Sequence, residues 1–315
     1  MRERDKIESS HTEHIGNIEI HDVIANLGSK FIKHEVISEE LYYTLRDSKN
    51  AIVQGAGGYG KSEMVIAVCE ALGVPYNVHV CNSGTTIDDI LGPINIKKFL
   101  DEGVYEVNYE EGLFRTPGVL VLEEGFDAPL NVLTAIKDIL TRKSVCYKGG
   151  SIESLVTSVI IVSNTTVDIL KGDPSKEALL DRFSTVVDVD TSWSKKDYNT
   201  VLSKVYPEGD KDKIEHLSHI FSATAGISPR KAIDITDIGL NTNRECLIRS
   251  LERNNCGFGD LVLFSYHASE SKKTMEHYML QLDDIILNAP NKTKDESLAD
   301  LAGLKEKASN DGVTV

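Results

Sequence analysis

The chain has 315 residues, of which 41% are hydrophobic, and a formal net charge of -15. This length is sufficient for a sizeable core and about two domains with tails. The acidic balance argues against a surface built mainly to bind nucleic-acid phosphates. It is still compatible with a local basic pore that would bind them. No run approaches the roughly 18 apolar residues of a membrane span, and no apolar signal segment follows Met1, so we expect a cytoplasmic protein without membrane contact.

The cysteines are odd in number and include no C-x-x-C pair. This pattern predicts neither a disulfide framework nor a zinc site, and we expect packing residues in a reducing compartment. They are Cys69, Cys81, Cys146, Cys246 and Cys256.

Residues 1–30 are predicted to be a partly disordered N-terminal extension, because positions 1 to about 17 are polar. His11 and His14 are interpreted as solvated tail residues rather than metal ligands. The first predicted helix of the core covers Ser38–Arg46, with the Ser38 hydroxyl as its N-cap.

A glycine-rich segment, Gly55–Ser62, contains a complete G-x-x-x-x-G-K-[ST] phosphate loop, which predicts nucleoside triphosphate binding. The run Ala51–Gln54 before it has strand character, and the residues after it have the apolar spacing of a helix over Ser62–Leu72. In such a loop the backbone N–H groups and the helix N-terminus surround the phosphates. Lys61 is predicted to contact the β- and γ-phosphates, and the Ser62 hydroxyl to bind Mg²⁺. The predicted loop residues are Gly55, Ala56, Gly57, Gly58, Tyr59, Gly60, Lys61 and Ser62.

Between about 51 and 189, strand-like runs alternate with helical periodicity, which predicts an α/β domain with a five-stranded parallel sheet covered on both faces. The predicted strands are Ala51–Gln54, Tyr76–Cys81, Val119–Leu122, Ser158–Ser163 and Thr185–Val189. After Asp190 the pattern is helical, at about 194–205, 211–225, 229–240, 243–254 and 259–288. We therefore expect an α/β core over 31–190, a smaller all-helical domain over 191–290 and a polar tail over 291–315.

Two carboxylates, Glu123 and Glu124, directly follow the strand Val119–Leu122. Open α/β sheets bind ligands at the carboxyl ends of their strands, so the pair is placed at a ligand site. Because adjacent strand residues point to opposite faces, one carboxylate is predicted to approach Mg²⁺ and the other to face the reacting water.

With both motifs present, the chain resembles an AAA+ ATPase of the branch that contains MoxR-type proteins, the cobaltochelatase small subunit and the dynein-related group. The resemblance covers roughly residues 31–240 and includes Gly112–Arg115 and the Ala128-Pro129 step after the Walker B carboxylates. The helix after this step should bury Leu130, Leu133, Ile136 and Leu140. The resemblance implies ATP and Mg²⁺ as cofactors, a hexameric ring, and a protein client, in this branch commonly with a von Willebrand factor A domain.

Further roles are implied by the same resemblance. Asn164, after the strand Ser158–Ser163, stands at the sensor-one position, where a neutral amide orients the attacking water. Arg182 matches an arginine finger that reaches the nucleotide of a neighbouring subunit. Arg230, after Ser228 as N-cap and Pro229 as first helical residue, matches the sensor-two position. Together with Glu124, these are the predicted catalytic residues.

Two hairpins are expected, one including the alternating run Tyr105–Tyr109 and one over Arg142–Gly150 with a Gly-Gly turn. By resemblance they line a pore or face a client, and as ordinary surface hairpins they would do neither.

The leading hypothesis is a ring-forming Mg-ATPase that remodels a protein partner. A nucleic-acid motor is the first alternative and would need a basic hairpin such as Arg142-Lys143 with Lys148. A nucleotide-gated scaffold with little turnover is the second, because Glu123 stands where the family usually has Asp and the added methylene changes the approach to Mg²⁺.

Overall fold

The computed structural model of the chain describes residues 3–104, 106–147, 150–223, 226–241 and 250. Two compact units divide between Thr191 and Ser192. The first begins with three helices that precede the sheet: α1 (Glu3–Gly16), α2 (Ile20–Gly28) and α3 (Glu35–Arg46).

Helix α1 replaces the disordered tail predicted for positions 1 to about 17. Ile15 is fully buried and the Arg4 side chain is only 3% exposed. His11 and His14 each form a hydrogen bond through Nε2 with a backbone carbonyl oxygen, at 3.1 and 2.9 Å. The prediction of a solvated tail was wrong because these polar side chains have partners in distant parts of the sequence.

Helix α3 begins at Glu35, with His34 as N-cap, rather than at the predicted cap Ser38. Ser38 is fully buried inside the helix, and its hydroxyl lies 3.3 Å from Nδ1 of His34. A hydroxyl that is satisfied within the first turn can occupy a helical position, so its type alone did not mark the boundary.

The remaining elements of the first unit alternate strands with helices, as the sequence predicts. In chain order they are β1 (Ala51–Gln54), α4 (Lys61–Ala71), β2 (Tyr76–Val80), α5 (Ile87–Leu91), α6 (Ile96–Glu102), β3 (Gly118–Glu123), α7 (Leu130–Arg142), β4 (Ser144–Tyr147), β5 (Gly150–Glu153), β6 (Val156–Ser163), α8 (Val167–Leu170), α9 (Pro174–Leu180) and β7 (Thr185–Asp188).

The main sheet has five parallel strands in the order β2-β3-β6-β1-β7, which confirms the predicted fold class. Strand β1 is an interior strand next to the edge strand β7, and Gln54 at its end lies opposite Ser163 of β6 on one side and Asp188 of β7 on the other. All five carboxyl ends therefore meet at one edge, which is where β1 passes into the phosphate loop.

Alternating residues of the buried strands pack into separate cores on the two faces of the sheet. Ile52 and Leu120 belong to the core that includes α7. Val53 and Val121 belong to the core that includes α1–α4. The apolar spacing that predicted the helix after the phosphate loop is confirmed as a buried stripe, with three residues on α4 and one at its C-cap: Val65, Val68, Cys69 and Leu72.

Helix α7 differs from the prediction at its first residue. Leu130 is 58% exposed, whereas Leu133, Ile136 and Leu140 are buried. A residue in the first turn precedes the part of the helix that crosses the sheet, so apolar spacing overstated the buried stripe by one position.

The two predicted hairpins have different outcomes. Strands β4 and β5 form the second hairpin, with Tyr147 opposite Gly150 and the connecting residues 148 and 149 outside the described residues. The described part of the run Tyr105–Tyr109 contributes an isolated antiparallel bridge from Val107 to Ile94, and α6 lies between these two positions.

The second unit, as far as it is described, consists of α10 (Lys195–Val205), α11 (Lys211–Ala223) and α12 (Pro229–Asn241). The predicted helices at about 243–254 and 259–288 and the tail at 291–315 lie outside the described residues, apart from position 250. Among the described helices, none combines the length and apolar character needed to cross a membrane.

Candidate functional site

The phosphate loop, Gly55–Ser62, depends on glycine for its backbone course. Gly55, Gly58 and Gly60 have φ of 142°, 86° and 77°, conformations that other residues rarely adopt. A Cβ on Gly55 would lie 3.3 Å from the carbonyl oxygen of Val189. The loop is thus a tight reversal between β1 and α4 that places the first turn of α4 at the carboxyl edge of the sheet.

Lys61, the first residue of α4, is held beneath this loop and is only 5% exposed. Its Nζ donates to the carbonyl oxygens of Gly55 and Ala56, both at 2.9 Å, and to Oδ1 of Asn164 at 2.7 Å. The cation therefore lies at the helix N-terminus, where the partial positive charge of the α4 dipole adds to its own. This arrangement attracts anions.

Asn164 follows β6 and joins the lysine to the predicted catalytic carboxylate. Its Nδ2 donates to Oε1 of Glu124, and its backbone N–H donates to Oε2 at 3.3 Å. The amide thus presents its oxygen to the Lys61 ammonium and its nitrogen to a carboxylate, the orientation that charge favours. The structure brings Lys61, Asn164 and Glu124 together, although 103 residues separate the first two.

Glu124 does not continue the strand, so the predicted alternation of the two carboxylates does not apply. Glu123 is the last residue of β3, between Val80 and Val162 of the neighbouring strands. Glu124 has φ 50° and ψ 37°, the left-handed conformation. The direction of the Glu124 side chain is set by this turn and by its hydrogen bonds with Asn164. A left-handed conformation in a residue other than glycine is strained, and such strain is typical of functional sites.

The described residues fit a nucleoside triphosphate with Mg²⁺. The positive-φ glycines and the start of α4 form a phosphate cradle, and Ser62 is the second residue of that helix. Within the described ranges no three His, Cys, Asp or Glu side chains are close enough together to hold a metal ion. Mg²⁺ at nucleotide sites usually takes one or two protein ligands and obtains the rest from phosphate oxygens and water, so the predicted pair Ser62 and Glu123 is chemically suitable. Their role as ligands stays a prediction.

Gln54 was not among the predicted site residues, and it anchors the root of the loop. It is 6% exposed, its Nε2 donates to Oδ1 of Asp188 at 2.7 Å, and its Oε1 accepts from the backbone N–H of Val167 at 2.6 Å. The amide ties the end of β1 to β7 and to the start of α8. A buried polar residue at the last strand position before a glycine loop is the sequence signal that could have identified it.

A second charged group lies beside the loop. Nζ of Lys33 is 2.8 Å from Oδ2 of Asp190. Burial raises the pKa of Tyr59, a loop residue, and the negative charge of Asp190 raises it further. Tyr59 therefore stays neutral at physiological pH.

Arg182 lies at the opposite edge of the sheet from the phosphate loop. Its carbonyl oxygen accepts from Nδ2 of Asn50, the residue before β1, at 3.4 Å, and its Nε donates to Thr141 Oγ1 of α7 at 2.9 Å. A four-residue strand with a rise of about 3.3 Å per residue separates this edge from Gln54 by roughly 10 Å. Arg182 is therefore not among the residues gathered around Lys61 in its own chain.

Arg230 is an exposed residue in the first turn of α12. The backbone N–H of Lys231 donates to the hydroxyl of Ser228 at 3.3 Å, so the predicted cap is present, with Pro229 as the first helical residue. The sensor-two role of Arg230 stays a prediction.

Comparison with known proteins identifies a family. The sequence model described as the MoxR domain in the MoxR-vWA-beta-propeller ternary systems matches residues 18–224. Two uncharacterized proteins of Methanocaldococcus jannaschii are each 23% identical over 129 residues, which is 41% of this chain. The matched stretch spans only about a third of each relative, 33% and 34% of their lengths.

Solved structures show similarity at low identity. A protein of Cytophaga hutchinsonii assigned as an ATPase is 15% identical with a TM-score of 0.47, and the match covers 78% of this chain and 86% of that one. A RuvB mutant of Thermotoga maritima is 13% identical with a TM-score of 0.46, and the match covers 76% of this chain and 71% of that one.

Proposed function

Because the chain belongs to the MoxR-type AAA+ ATPases, we propose that it is a ring-forming, Mg²⁺-dependent ATPase that couples ATP hydrolysis to the remodelling of a protein partner. One observation carries the proposal: the hydrogen bonds that join Lys61, Asn164 and Glu124 at the carboxyl edge of the sheet. They bring a phosphate-binding cation within one residue of a carboxylate that can accept a proton.

In this proposal each residue has a distinct task. The loop amides and Lys61 would hold the phosphates, and Ser62 with Glu123 would hold Mg²⁺, which when bound would supply positive charge beside them. Glu124 orients the attacking water and accepts its proton. Asn164 fixes the Glu124 carboxylate and stays neutral, so it does not compete for that proton.

The position of Arg182 supports shared catalytic sites. A guanidinium at the amino edge of the sheet is remote from its own phosphate loop, yet it is exposed and so accessible to a neighbouring copy. A head-to-tail contact between copies closes into a ring when the rotation permits. Arg182 would then serve the neighbour's nucleotide. The sensor-two role of Arg230 is proposed from the family resemblance alone.

The partner-binding proposal rests on α6. None of the residues of this short helix is buried, and Ile96, Phe99 and Leu100 are 68%, 49% and 75% exposed. Their i, i+3, i+4 spacing forms one apolar face directed at solvent, a common property of protein-binding surfaces. The matched family is named for systems that contain vWA and beta-propeller components, and we propose a vWA-domain protein as the partner.

The test is ATP hydrolysis measured against protein concentration for the native chain, Glu124→Gln and Arg182→Ala. We expect a rate per subunit that rises cooperatively with concentration in the native chain and is lost in both variants, while ATP binding persists. Arg46→Ala, which removes a partly exposed arginine of α3, should keep the native rate. Native turnover no higher than that of Glu124→Gln at every concentration would refute the motor.

That same result would support the scaffold, the second candidate function. Glu123 in the Walker B strand is the observation that favours it, because the longer side chain changes the approach of the carboxylate to Mg²⁺. The scaffold predicts tight ATP binding and assembly with negligible phosphate release.

The nucleic-acid motor has less support. It would need basic side chains on the second hairpin, but Lys143 lies at its base, and burial, with the nearby Arg4 cation, lowers the pKa of its ammonium. Arg142 lies 3.9 Å from Asp138, and Lys148 is outside the described residues. The described part of this hairpin does not form a basic surface.

A further inference from the structure

A second concave site lies at the amino edge of the sheet, opposite the phosphate loop. Helix α1 crosses the segments that lead into β2 and β3 and forms with them a cavity of about 400 Å³ that is open to solvent on one side. This volume is within the range of small-molecule sites, roughly 300–1,000 Å³.

The floor of the cavity is apolar and rigid. Val74, Pro75 and Pro117 contribute to it, and the two prolines have no backbone N–H to donate. Gly118 has φ 112°, and a Cβ there would lie 2.1 Å from the carbonyl oxygen of Pro75. That oxygen already accepts from Val119 at 2.9 Å, so the floor presents hydrocarbon rather than polar groups.

The roof is one face of α1 and carries mainly polar side chains, together with Ile7. Lys6, Ser10 and His14 follow one another at intervals of four residues, with His11 beside them. His14 hydrogen-bonds to the carbonyl oxygen of Leu72 at 2.9 Å, which fixes this end of the roof.

The charge of this lining is unlike that of the whole chain. The chain has 49 acidic and 34 basic residues, yet among the described residues that line the cavity none is acidic. Burial lowers the pKa of His11 and favours its neutral form, so the Lys6 ammonium is the permanent charge. Lys6 forms no ion pair with any described residue.

We propose that this cavity binds a small apolar carboxylate, with the hydrocarbon part on the proline floor and the carboxylate at Lys6. An apolar floor beneath a single cation matches a ligand with one anionic group and a compact hydrocarbon body. In such sites the apolar side chains provide most of the affinity, and the few polar groups fix the orientation of the ligand. The site shares no residue with the phosphate loop, so its failure would leave the proposed ATPase untouched.

The test is calorimetric titration of the full chain with octanoate, with octanamide and acetate as probes that lack the charge or the hydrocarbon part. We expect saturable octanoate binding with a Kd of about 1 mM or tighter, and at least about tenfold weaker binding of both other probes.

Two variants locate the site. Lys6→Glu reverses the charge, and Ser10→Trp fills the cavity from an exposed position, so neither disturbs the core. Each should weaken octanoate binding at least about tenfold, whereas Lys30→Glu, a matched charge reversal on an exposed loop, should leave it unchanged. Absence of saturable binding, equal binding in Lys6→Glu or Ser10→Trp, or octanamide binding as tight as octanoate would overturn the proposal.

Discussion

Removing the Asn164 side chain is the perturbation that most directly tests how the nucleotide site works. In Asn164→Ala, Glu124 loses its hydrogen bond from Nδ2, and Lys61 loses an acceptor at 2.7 Å. The backbone N–H of residue 164 remains as a donor to Glu124. The carboxylate therefore keeps one contact and loses its fixed orientation.

The expected effect follows from the strength of these contacts. A hydrogen bond to a charged group contributes about 1.5–3 kcal/mol, and the exposure of Asn164 favours the lower half of that range. Two such bonds amount to roughly 3 kcal/mol, which corresponds to a rate loss of about 10²-fold. ATP affinity should change by less than about threefold, because the loop amides and Lys61 hold the phosphates.

The assay separates turnover from binding. Steady-state kcat is measured together with the Kd of a fluorescent ATP analogue, for the native chain, Asn164→Ala and Thr166→Ala. Thr166 lies two residues further along the same loop and makes no capping hydrogen bond with its side chain, so its variant should match the native chain in both quantities.

A kcat within about threefold of native would show that Asn164 does not position Glu124. A Kd that rises as much as kcat falls would show instead that Asn164 binds the ground state. Either result would refute the proposal that Asn164, through its hydrogen bonds to Lys61 and Glu124, positions the carboxylate for catalysis.

Three predictions concern stability, measured as the free energy of unfolding in urea. Gly118→Ala should lose about 2 kcal/mol or more, because its Cβ would meet the Pro75 carbonyl at a positive φ, whereas Gly16→Ala, with nothing within 4 Å, should be nearly neutral. Arg4→Ala should lose about 2 kcal/mol, since it leaves a buried carbonyl and a carboxylate without their partner. Burial lowers the pKa of His11 below 6.5, so the unfolded chain binds that proton more tightly and stability should fall as the pH drops below about 6.5. In His11→Gln this dependence should be weaker, and an unchanged slope would contradict the assignment.

The nucleotide loop was predictable because its signals are local. Strand, glycines, lysine and helix follow one another within Ala51–Leu72, and each of these signals predicts the conformation of the residues that carry it. The position of Asn164 was also predictable, from the end of the strand that carries it. Its contacts were not, because they join residues 40 and 103 positions apart.

The errors arose where tertiary contacts replaced local preference. Helix α1 has a polar sequence, but Arg4 and His11 find backbone carbonyls at Ser154 and Leu45. The amino-acid composition of a segment does not predict hydrogen-bond partners that are distant in the sequence. At Glu124, strand alternation failed because the chain turns left-handed immediately after β3.

The most direct test of the central claim, that catalytic sites are shared between copies, is a mixing experiment with the two inactive variants. Arg182→Ala keeps Glu124 but lacks the finger, and Glu124→Gln keeps the finger but lacks the carboxylate. Where an Arg182→Ala subunit receives its finger from a Glu124→Gln neighbour, the site is complete, which in a random equal mixture is about one interface in four. The account predicts recovery to about a quarter of native hydrolysis. No recovery, with both variants still binding ATP and assembling together, would contradict it.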